Sequence, residues 1–149
     1  KVFTFLTREE IDGYQQKVAE EPFKREAQRR LALEVTELVH SSAEALAAQD
    51  ASLALFGSGD IRLLDGDTLR SALNELPNAQ VAKGSPVVDA LVATGLCESK
   101  SEARRAIEQG GVSVNKVKVL SDDAILEDVL AGNQAVLARG KKSLAGLFF

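Results

Sequence analysis

The sequence is poor in the residues that usually form disulfides, metal sites and aromatic contact surfaces. It contains no tryptophan, one tyrosine, one cysteine and one histidine. A single cysteine excludes an intramolecular disulfide, and one cysteine with one histidine cannot supply the four ligands of a usual protein zinc site. The shortage of aromatic rings argues against binding that depends on bases stacked on aromatic platforms. No clustered catalytic constellation is present, which disfavours an independent enzyme.

Long hydrophobic runs and methionine are also missing. No run approaches the length of a membrane span, and no signal peptide stands at the start. We therefore expect no membrane partner and a reducing, cytoplasmic location, which suits the single cysteine. Because the chain opens at Lys1 and has no methionine, we also expect it to be a piece of a longer protein.

The most informative stretch begins at Ser85. Ser85 is a good helix N-cap and Pro86 suits the first helical position, so we expect a helix that Gly95 ends. Ser99 and Glu102 have the spacing of a capping box. In such a box the serine hydroxyl accepts from the backbone three residues on and the glutamate reaches back to the serine N–H. This spacing predicts a second helix.

A tight hairpin is expected after the second helix. Gly110 and Gly111 supply the left-handed backbone that ends a helix and turns the chain. Asn115-Lys116 then predicts a two-residue turn between two short strands. Four apolar residues alternate along these strands and should face one side: Val112, Val114, Val117 and Val119.

This stretch is basic within an acidic protein. The chain carries 18 Lys and Arg residues against 22 Asp and Glu, a formal net charge of −4. Residues 99–119 instead hold five basic and two acidic residues, and the whole negative balance falls within residues 1–85. Such a local excess points to a phosphate-binding patch, since Lys and Arg bind a nucleic-acid backbone by charge and counterion release. The alternative is that the basic face is simply solvated.

The order of these signals resembles the RNA-binding module first named from ribosomal protein S-four. The resemblance implies that the capped helix and the hairpin bind structured RNA. Lys116 departs from the pattern, because this family often has Gly or Asn after the asparagine. The residues that carry the match are Leu96, Ser99-Lys100, Glu102-Ala103-Arg104-Arg105, Ile107, Gly110-Gly111-Val112 and Val114-Asn115.

The sequence before this module is predicted to be helical. Thr7 and Glu10 have capping-box spacing, which predicts a first helix over about residues 8–20, and Pro22 separates it from a second helix. The second helix carries a stripe predicted to be buried, at Ala27, Leu31, Val35, Leu38 and Val39. Arg25 and Arg29 lie on its opposite side, where they either face RNA or form a solvated edge. Further helices are expected after Ser41 or Ser42 and at about residues 67–76.

The predicted fold is α+β, with a small helical unit followed by a small RNA-binding module of two short helices and β-hairpins. We expect the helical unit at residues 1–78, a linker at 79–85 and the module at 86–149. Two strands at the chain end flank Arg139-Gly140-Lys141-Lys142, which reads as a closing hairpin with a basic tip. Gly140-Lys-Lys-Ser143 only superficially resembles a nucleotide-binding loop, because no nucleotide fold precedes it.

Several short pieces accompany the module and Arg139-Gly140-Lys141-Lys142 along the chain. They are Phe3-Thr-Phe-Leu6, Glu9-Glu10-Ile11, Ala27-Gln28, Leu31-Ala32, Glu34-Val35-Thr36, Leu38-Val39-His40 and Ala54-Leu55-Phe56-Gly57. In this order they make nearly the whole chain resemble the C-terminal region of bacterial-type tyrosyl-tRNA synthetases. One departure is Ser41, where this family usually has glycine.

The resemblance implies a role in positioning tRNA. A parent enzyme would join tyrosine to tRNA(Tyr) using ATP and Mg, in a catalytic domain absent from this chain. The parent would be a homodimer and this chain a monomer without cofactor, metal or catalytic residues. The helical unit would continue the anticodon-binding region, and the module would contact the anticodon stem and the long variable arm.

We predict ten RNA-binding residues from charge and position. Eight lie in the module and two lie in the helical unit: Lys100, Arg104, Arg105, Lys116, Lys118, Arg139, Lys141 and Lys142, with Arg25 and Arg29. Two alternatives stay open. The module could serve a ribosome-associated or RNA-modifying protein, or the chain could be a helical adaptor that binds protein. The shortage of aromatic interface anchors counts against the adaptor.

Overall fold

The computed structural model describes residues 4–149, so Phe3, which begins the first matched piece, lies outside the described residues. The chain divides into two compact units, one ending at Gln49 and one spanning Asp50–Phe149. Six helices and a five-stranded sheet lie within the described residues, which confirms the α+β class.

The first unit is helical. Helix α1 (Arg8–Glu20) begins at Thr7 with both capping-box hydrogen bonds present, as predicted. A 3₁₀ turn at Pro22–Lys24 separates it from α2 (Glu26–Val39), and α3 (Ser42–Phe56) runs across the boundary between the units. Ser41 caps α3, because its hydroxyl oxygen accepts from the Glu44 backbone N–H at 3.2 Å.

The prediction of a buried stripe on α2 is wrong. No residue of α2 is buried, and Leu31, Leu38 and Val39 are 48%, 59% and 68% exposed. Helical spacing identifies an apolar face but does not show that another element covers it. Helix α1 packs on α2 along a groove lined by Ile11 and Ala27, and this contact leaves the rest of the face open.

The second unit is built on the sheet. A 3₁₀ turn at Ile61–Leu63 precedes its first helix. The helices and strands follow in the order α4 (Gly66–Asn74), β1 (Asn78–Gln80), α5 (Val87–Ala93), α6 (Lys100–Glu108), β2 (Val112–Val114), β3 (Val117–Lys118), β4 (Gln134–Arg139) and β5 (Ser143–Phe148). The strand order is β1-β5-β4-β2-β3, with β1 parallel to β5 and the other pairs antiparallel.

Both faces of the central strands are covered. On one face α5 and α6 pack against Leu137 and Leu147, and on the other Val136 and Leu144 meet a second apolar cluster. Most of that cluster comes from the chain before the module, at Leu55, Ile61, Leu69 and Leu73, and Leu130 of the module joins it. Because alternate residues of a strand point to opposite faces, β4 and β5 are buried on both sides.

The predicted domain boundary therefore differs from the observed division. Part of the expected linker forms β1, which pairs with β5 from Asn78↔Gly146 to Gln80↔Phe148. Helix α4 lies so close beneath β5 that a Cβ atom at Gly146 would sit 2.9 Å from the Leu73 Cβ. The apolar face of α4 is visible in the sequence, but its partner is a strand about 70 residues later, which local pattern does not reveal.

The starts of the two module helices differ slightly from the expectation. Pro86, not Ser85, is the N-cap of α5, and no side chain caps that helix. At α6 the Ser99 hydroxyl accepts from the Glu102 N–H at 3.2 Å, as predicted. The Glu102 carboxylate, however, accepts from the backbone N–H of Glu98 at 2.7 Å, one residue before the cap.

The predicted hairpin turn is confirmed. Asn115 and Lys116 both have positive φ, 49° and 68°, which matches the right-handed twist of the flanking strands. Val112 and Val119 are buried, whereas Val117 directly follows the turn, opposite Val114, and is 61% exposed. The closing hairpin at β4 and β5 is also confirmed, with Gly140 at φ 67° in its tip.

Candidate nucleic-acid interface

Two basic residues of α6 are held in exchangeable ion pairs. Lys100 Nζ lies 2.7 Å from Asp89 Oδ1, and Arg104 Nε lies 3.5 Å from Asp122 Oδ2. Positions 100 and 104 are one turn apart, so both cations occupy one side of the helix. Both pairs are solvent-exposed, and exposed pairs contribute only about 0–1 kcal/mol to stability. A phosphate can therefore replace either carboxylate at little cost.

A second group of cations lies where α6 ends beside the closing hairpin. The Gly140 N–H donates to the Gly111 carbonyl at 2.7 Å, which fixes the hairpin tip next to the end of α6. The tip carries Lys141 and Lys142, both exposed. Arg105, on the same end of α6, donates from Nε to its own helix at the Ser101 carbonyl. We call Arg105, Lys141 and Lys142 the tip cluster.

The charges of the tip cluster are not neutralised within the described chain. Across residues 4–149, no ion pair involves any of its three members, whereas Lys100, Arg104 and Arg139 each have a carboxylate partner. An unpaired exposed cation keeps its full attraction for a phosphate, because nothing must be displaced first. The tip cluster is therefore a candidate anion-binding site of the module.

Arg139 has a structural role beside the tip cluster. Its Nη1 donates to the Leu96 carbonyl at 2.6 Å, and its Nη2 lies 2.7 Å from Glu102 Oε1. The Glu98 N–H and the Arg139 guanidinium together hold the pKa of Glu102 below its usual range. Arg139 therefore ties the closing hairpin to the turn between α5 and α6.

Lys116 and Lys118 lie away from the tip cluster. In the register of β2 with β4, Val112 faces Arg139 whereas Val114 faces Leu137, so the Asn115-Lys116 turn is at the far end from the tip. Lys116 Nζ donates to the carbonyl oxygens of Gly57 at 3.0 Å and Gly59 at 2.8 Å. Lys118 is exposed on the edge strand β3. The structure thus separates the predicted module residues into two regions.

Asn115 has a role that sequence reasoning missed. It is only 3% exposed; its Oδ1 accepts from the Val136 N–H at 2.8 Å and its Nδ2 donates to the Asp128 carbonyl at 2.8 Å. Asp128 also forms a 2.5 Å ion pair with Arg62. Arg62 first, and the Asn115 amide second, hold the pKa of Asp128 below its usual range. The sequence signal for Asn115 was its place in a predicted turn. That signal predicts the backbone conformation of the turn, but it does not predict the hydrogen bonds of the Asn115 side chain.

The two predicted residues of the first unit lie at the start of α2. Arg25 precedes α2 in the left-handed conformation, with φ 52° and ψ 35°, and its carbonyl accepts from the Arg29 N–H at 3.1 Å. Both side chains are exposed. Their contact with RNA stays a prediction.

The described residues give little evidence for a metal site, a nucleophilic cysteine or a membrane-spanning helix. Within residues 4–149, no group of three or more His, Cys, Asp or Glu side chains could hold a metal ion. Cys97 is buried, and burial raises the pKa of its thiol, which makes it a poor nucleophile. The helices described for this chain include none that is long and apolar enough to cross a membrane.

A comparison with known proteins identifies the family of this chain. A family model described as the tyrosine--tRNA ligase SYY-like C-terminal domain matches residues 68–145. The tyrosine--tRNA ligase of Leifsonia xyli is 58% identical over 99% of the chain and 34% of its own length. Those of Corynebacterium glutamicum and Streptomyces coelicolor are 48% and 45% identical, over 97% and 99% of the chain and 36% and 35% of their own lengths.

The chain thus spans about a third of the length of these relatives, and it matches only their C-terminal part. The matched range begins in α4, includes all of β1, α5, α6, β2, β3 and β4, and ends within β5. It therefore covers most of the sheet and all eight basic residues predicted in the module. The chain belongs to the family of tyrosine--tRNA ligase C-terminal domains.

Proposed function

We propose that this chain is the tRNA-binding C-terminal region of a tyrosine--tRNA ligase and that it holds tRNA(Tyr) through the anticodon stem and the variable arm. One observation carries the proposal: the end of α6 and the adjoining tip of the closing hairpin carry three exposed cations that form no ion pair within residues 4–149. Residues 86–149 have equal numbers of basic and acidic residues, so this attraction is local and orients the RNA.

The remaining basic residues have graded roles in this proposal. Lys100 and Arg104 exchange their exposed carboxylate partners for phosphates and extend the surface along α6. Lys118 contributes from the edge strand, and Arg25 and Arg29 offer a separate contact on the first unit. Phosphate contacts of this kind fix the position of an RNA without reading its sequence.

Positioning explains how a region without catalytic residues affects a reaction. Binding energy from contacts far from the reacting groups holds the acceptor end of the tRNA in the active site. In this proposal the catalytic domain precedes the chain in a cytoplasmic parent enzyme. That domain binds ATP and Mg and forms the homodimer, while the isolated chain is a monomer and binds no cofactor.

The test compares single charge removals in the full chain. Arg105→Ala, Lys141→Ala and Lys142→Ala should each weaken tRNA(Tyr) binding. Each should also reduce the slope of log affinity against log salt by about 1. Lys83→Ala is the matched control, because Lys83 is an exposed lysine of the same unit outside this surface. Equal effects of all four changes would refute a localised RNA-binding surface.

A kinetic test separates positioning from catalysis. In a full-length tyrosine--tRNA ligase carrying these residues, the same changes should lower kcat/KM for tRNA and leave the rate of tyrosine activation by ATP unchanged. A preference of the chain for ribosomal RNA over tRNA(Tyr) would contradict the proposal, and so would partner binding that survives nuclease treatment.

A further inference from the structure

An open cleft lies between the turn that joins α5 to α6, the end of α6 and the tip of the closing hairpin. Its volume is about 450 Å³, within the range of small-molecule sites. Leu96 and Ala106 contribute apolar surface, while Gln109 and Ser143 contribute polar side chains that are exposed. Glycines 95, 111 and 140 complete the lining. The cleft therefore suits a flat group with apolar faces and a polar edge.

Arg139 also lines this cleft, and its guanidinium is held in a fixed orientation. Both terminal nitrogens are engaged, one by the Leu96 carbonyl at 2.6 Å and one by Glu102 at 2.7 Å. Glu102 is itself held by the Glu98 N–H. These two contacts fix the plane of the guanidinium, and 37% of the side-chain surface stays exposed.

A fixed guanidinium face is a stacking surface for nucleobases. Sequence-specific recognition of RNA usually takes unpaired bases and stacks them on aromatic rings or on arginine planes. The only aromatic residues after Phe56 are Phe148 and Phe149, and neither lines the cleft. The Glu102 carboxylate also offsets the charge of Arg139, which makes the group less suited to a phosphate and better suited to stacking.

The tip cluster brings a ribose-phosphate chain to the mouth of the cleft. Lys141 and Lys142 lie between Gly140 and Ser143, two of the cleft residues. Because the lysines adjoin two residues of the cleft that Arg139 also lines, a nucleotide bound through its phosphate at the tip can direct its base toward Arg139. Phosphate contact and base contact can therefore belong to the same nucleotide.

We propose that this cleft binds one unpaired base of the RNA, turned out of its stack and laid against the guanidinium of Arg139. This inference rests on the proposed function and deepens it, because it adds one sequence-reading contact to a surface that otherwise holds phosphates. The polar groups of Gln109 and Ser143 are placed to meet the edge of the base.

The test combines protein variants with abasic RNA. Arg139→Lys keeps the positive charge but removes the plane, and Ser143→Leu fills the cleft with an aliphatic side chain. Ser71→Leu, on the exposed surface of α4, is the matched control. The probe is a set of tRNA(Tyr) molecules, each lacking the base at one unpaired position. Thermal unfolding of each variant reports whether it is folded.

The expected result is a single sensitive position. For the unaltered chain, removal of one particular base should weaken binding about tenfold, the typical loss for one stacked base. Arg139→Lys and Ser143→Leu should bind intact tRNA about tenfold more weakly, lose no further affinity when that base is absent, and keep the salt dependence of the unaltered chain. Ser71→Leu should behave like the unaltered chain.

Two results would overturn the inference. If Arg139→Lys binds tRNA like the unaltered chain, the positive charge of residue 139, and not the planar guanidinium, accounts for its contribution to binding. If, at every unpaired position, the loss of affinity caused by the protein variant multiplies with the loss caused by removing the base, no base occupies the cleft. Failure of the proposed function looks different, because tRNA(Tyr) binding by the unaltered chain would then be absent or independent of salt.

Discussion

Replacement of Lys116 tests whether this basic residue stabilises the fold or contacts RNA. Lys116→Met keeps an unbranched side chain of similar length but removes two hydrogen bonds, to the carbonyls of Gly57 and Gly59 at 3.0 and 2.8 Å. Hydrogen bonds from charged groups contribute about 1.5–3 kcal/mol each, and solvent exposure of the ammonium reduces this, so we expect a loss of about 1–2 kcal/mol. For a unit of this size, thermal denaturation should show a midpoint lowered by several degrees.

Lys141→Met is the matched control for this experiment. It makes the same chemical change on the same unit, at a residue that forms no ion pair within residues 4–149. We expect no change in the unfolding midpoint but weaker tRNA binding, the opposite of the Lys116→Met result. If Lys116→Met leaves stability unchanged and weakens tRNA binding as much as Lys141→Met does, the assignment of Lys116 to the fold is wrong.

Three further predictions concern stability. Asn115→Ala should lower the free energy of unfolding by about 2–4 kcal/mol in a urea titration, because buried hydrogen bonds are lost at a positive φ; a loss under 1 kcal/mol would contradict this. Because the pKa of Glu102 is lowered on folding, its contribution to stability is present above about pH 4.3, the pKa of an unfolded glutamate, and is lost as pH falls through the folded pKa. In acid titrations Glu102→Gln should flatten this dependence of stability on pH, and an unchanged profile would refute the prediction. Gly146→Ala should destabilise the protein by about 1–3 kcal/mol, because the new methyl group clashes with Leu73. Gly13→Ala has open space around it and should stabilise the protein by about 0.5–1 kcal/mol. Equal effects of the two changes in calorimetry would be inconsistent with this packing.

Features encoded by neighbouring residues were predictable from the sequence. The capping box at Thr7 and the turn at Asn115-Lys116 both depend on residues within a few positions of each other. The closing hairpin around Gly140 is equally local. In each case the backbone conformation follows from a cap, a turn residue or an alternation, and no distant partner is needed.

Features that depend on distant partners were not predictable. The buried face of α4 meets β5. Lys116 donates to the carbonyls of Gly59 and Gly57, which lie 57 and 59 residues earlier in the chain. Arg139 likewise bonds the Leu96 carbonyl, 43 residues away. A one-dimensional pattern reports that a side chain is apolar or charged, but which group it meets depends on the packing of the whole unit.

The same limit applies to the candidate site. Charge counting identified the basic residues correctly as a local excess, but it treated all of them as equivalent. The structure distinguishes cations without a carboxylate partner, such as Lys141, from those held in ion pairs, such as Lys100, and from Lys116, which bonds backbone carbonyls. This distinction determines which changes should affect RNA and which should affect folding.

The most direct test of the central claim is a titration of the chain with tRNA(Tyr), with and without its long variable arm, at two salt concentrations. The proposed function predicts tighter binding to the intact tRNA, weakening as salt rises. Equal affinity for the two RNAs, or binding that does not respond to salt, would contradict the claim that this region positions tRNA(Tyr).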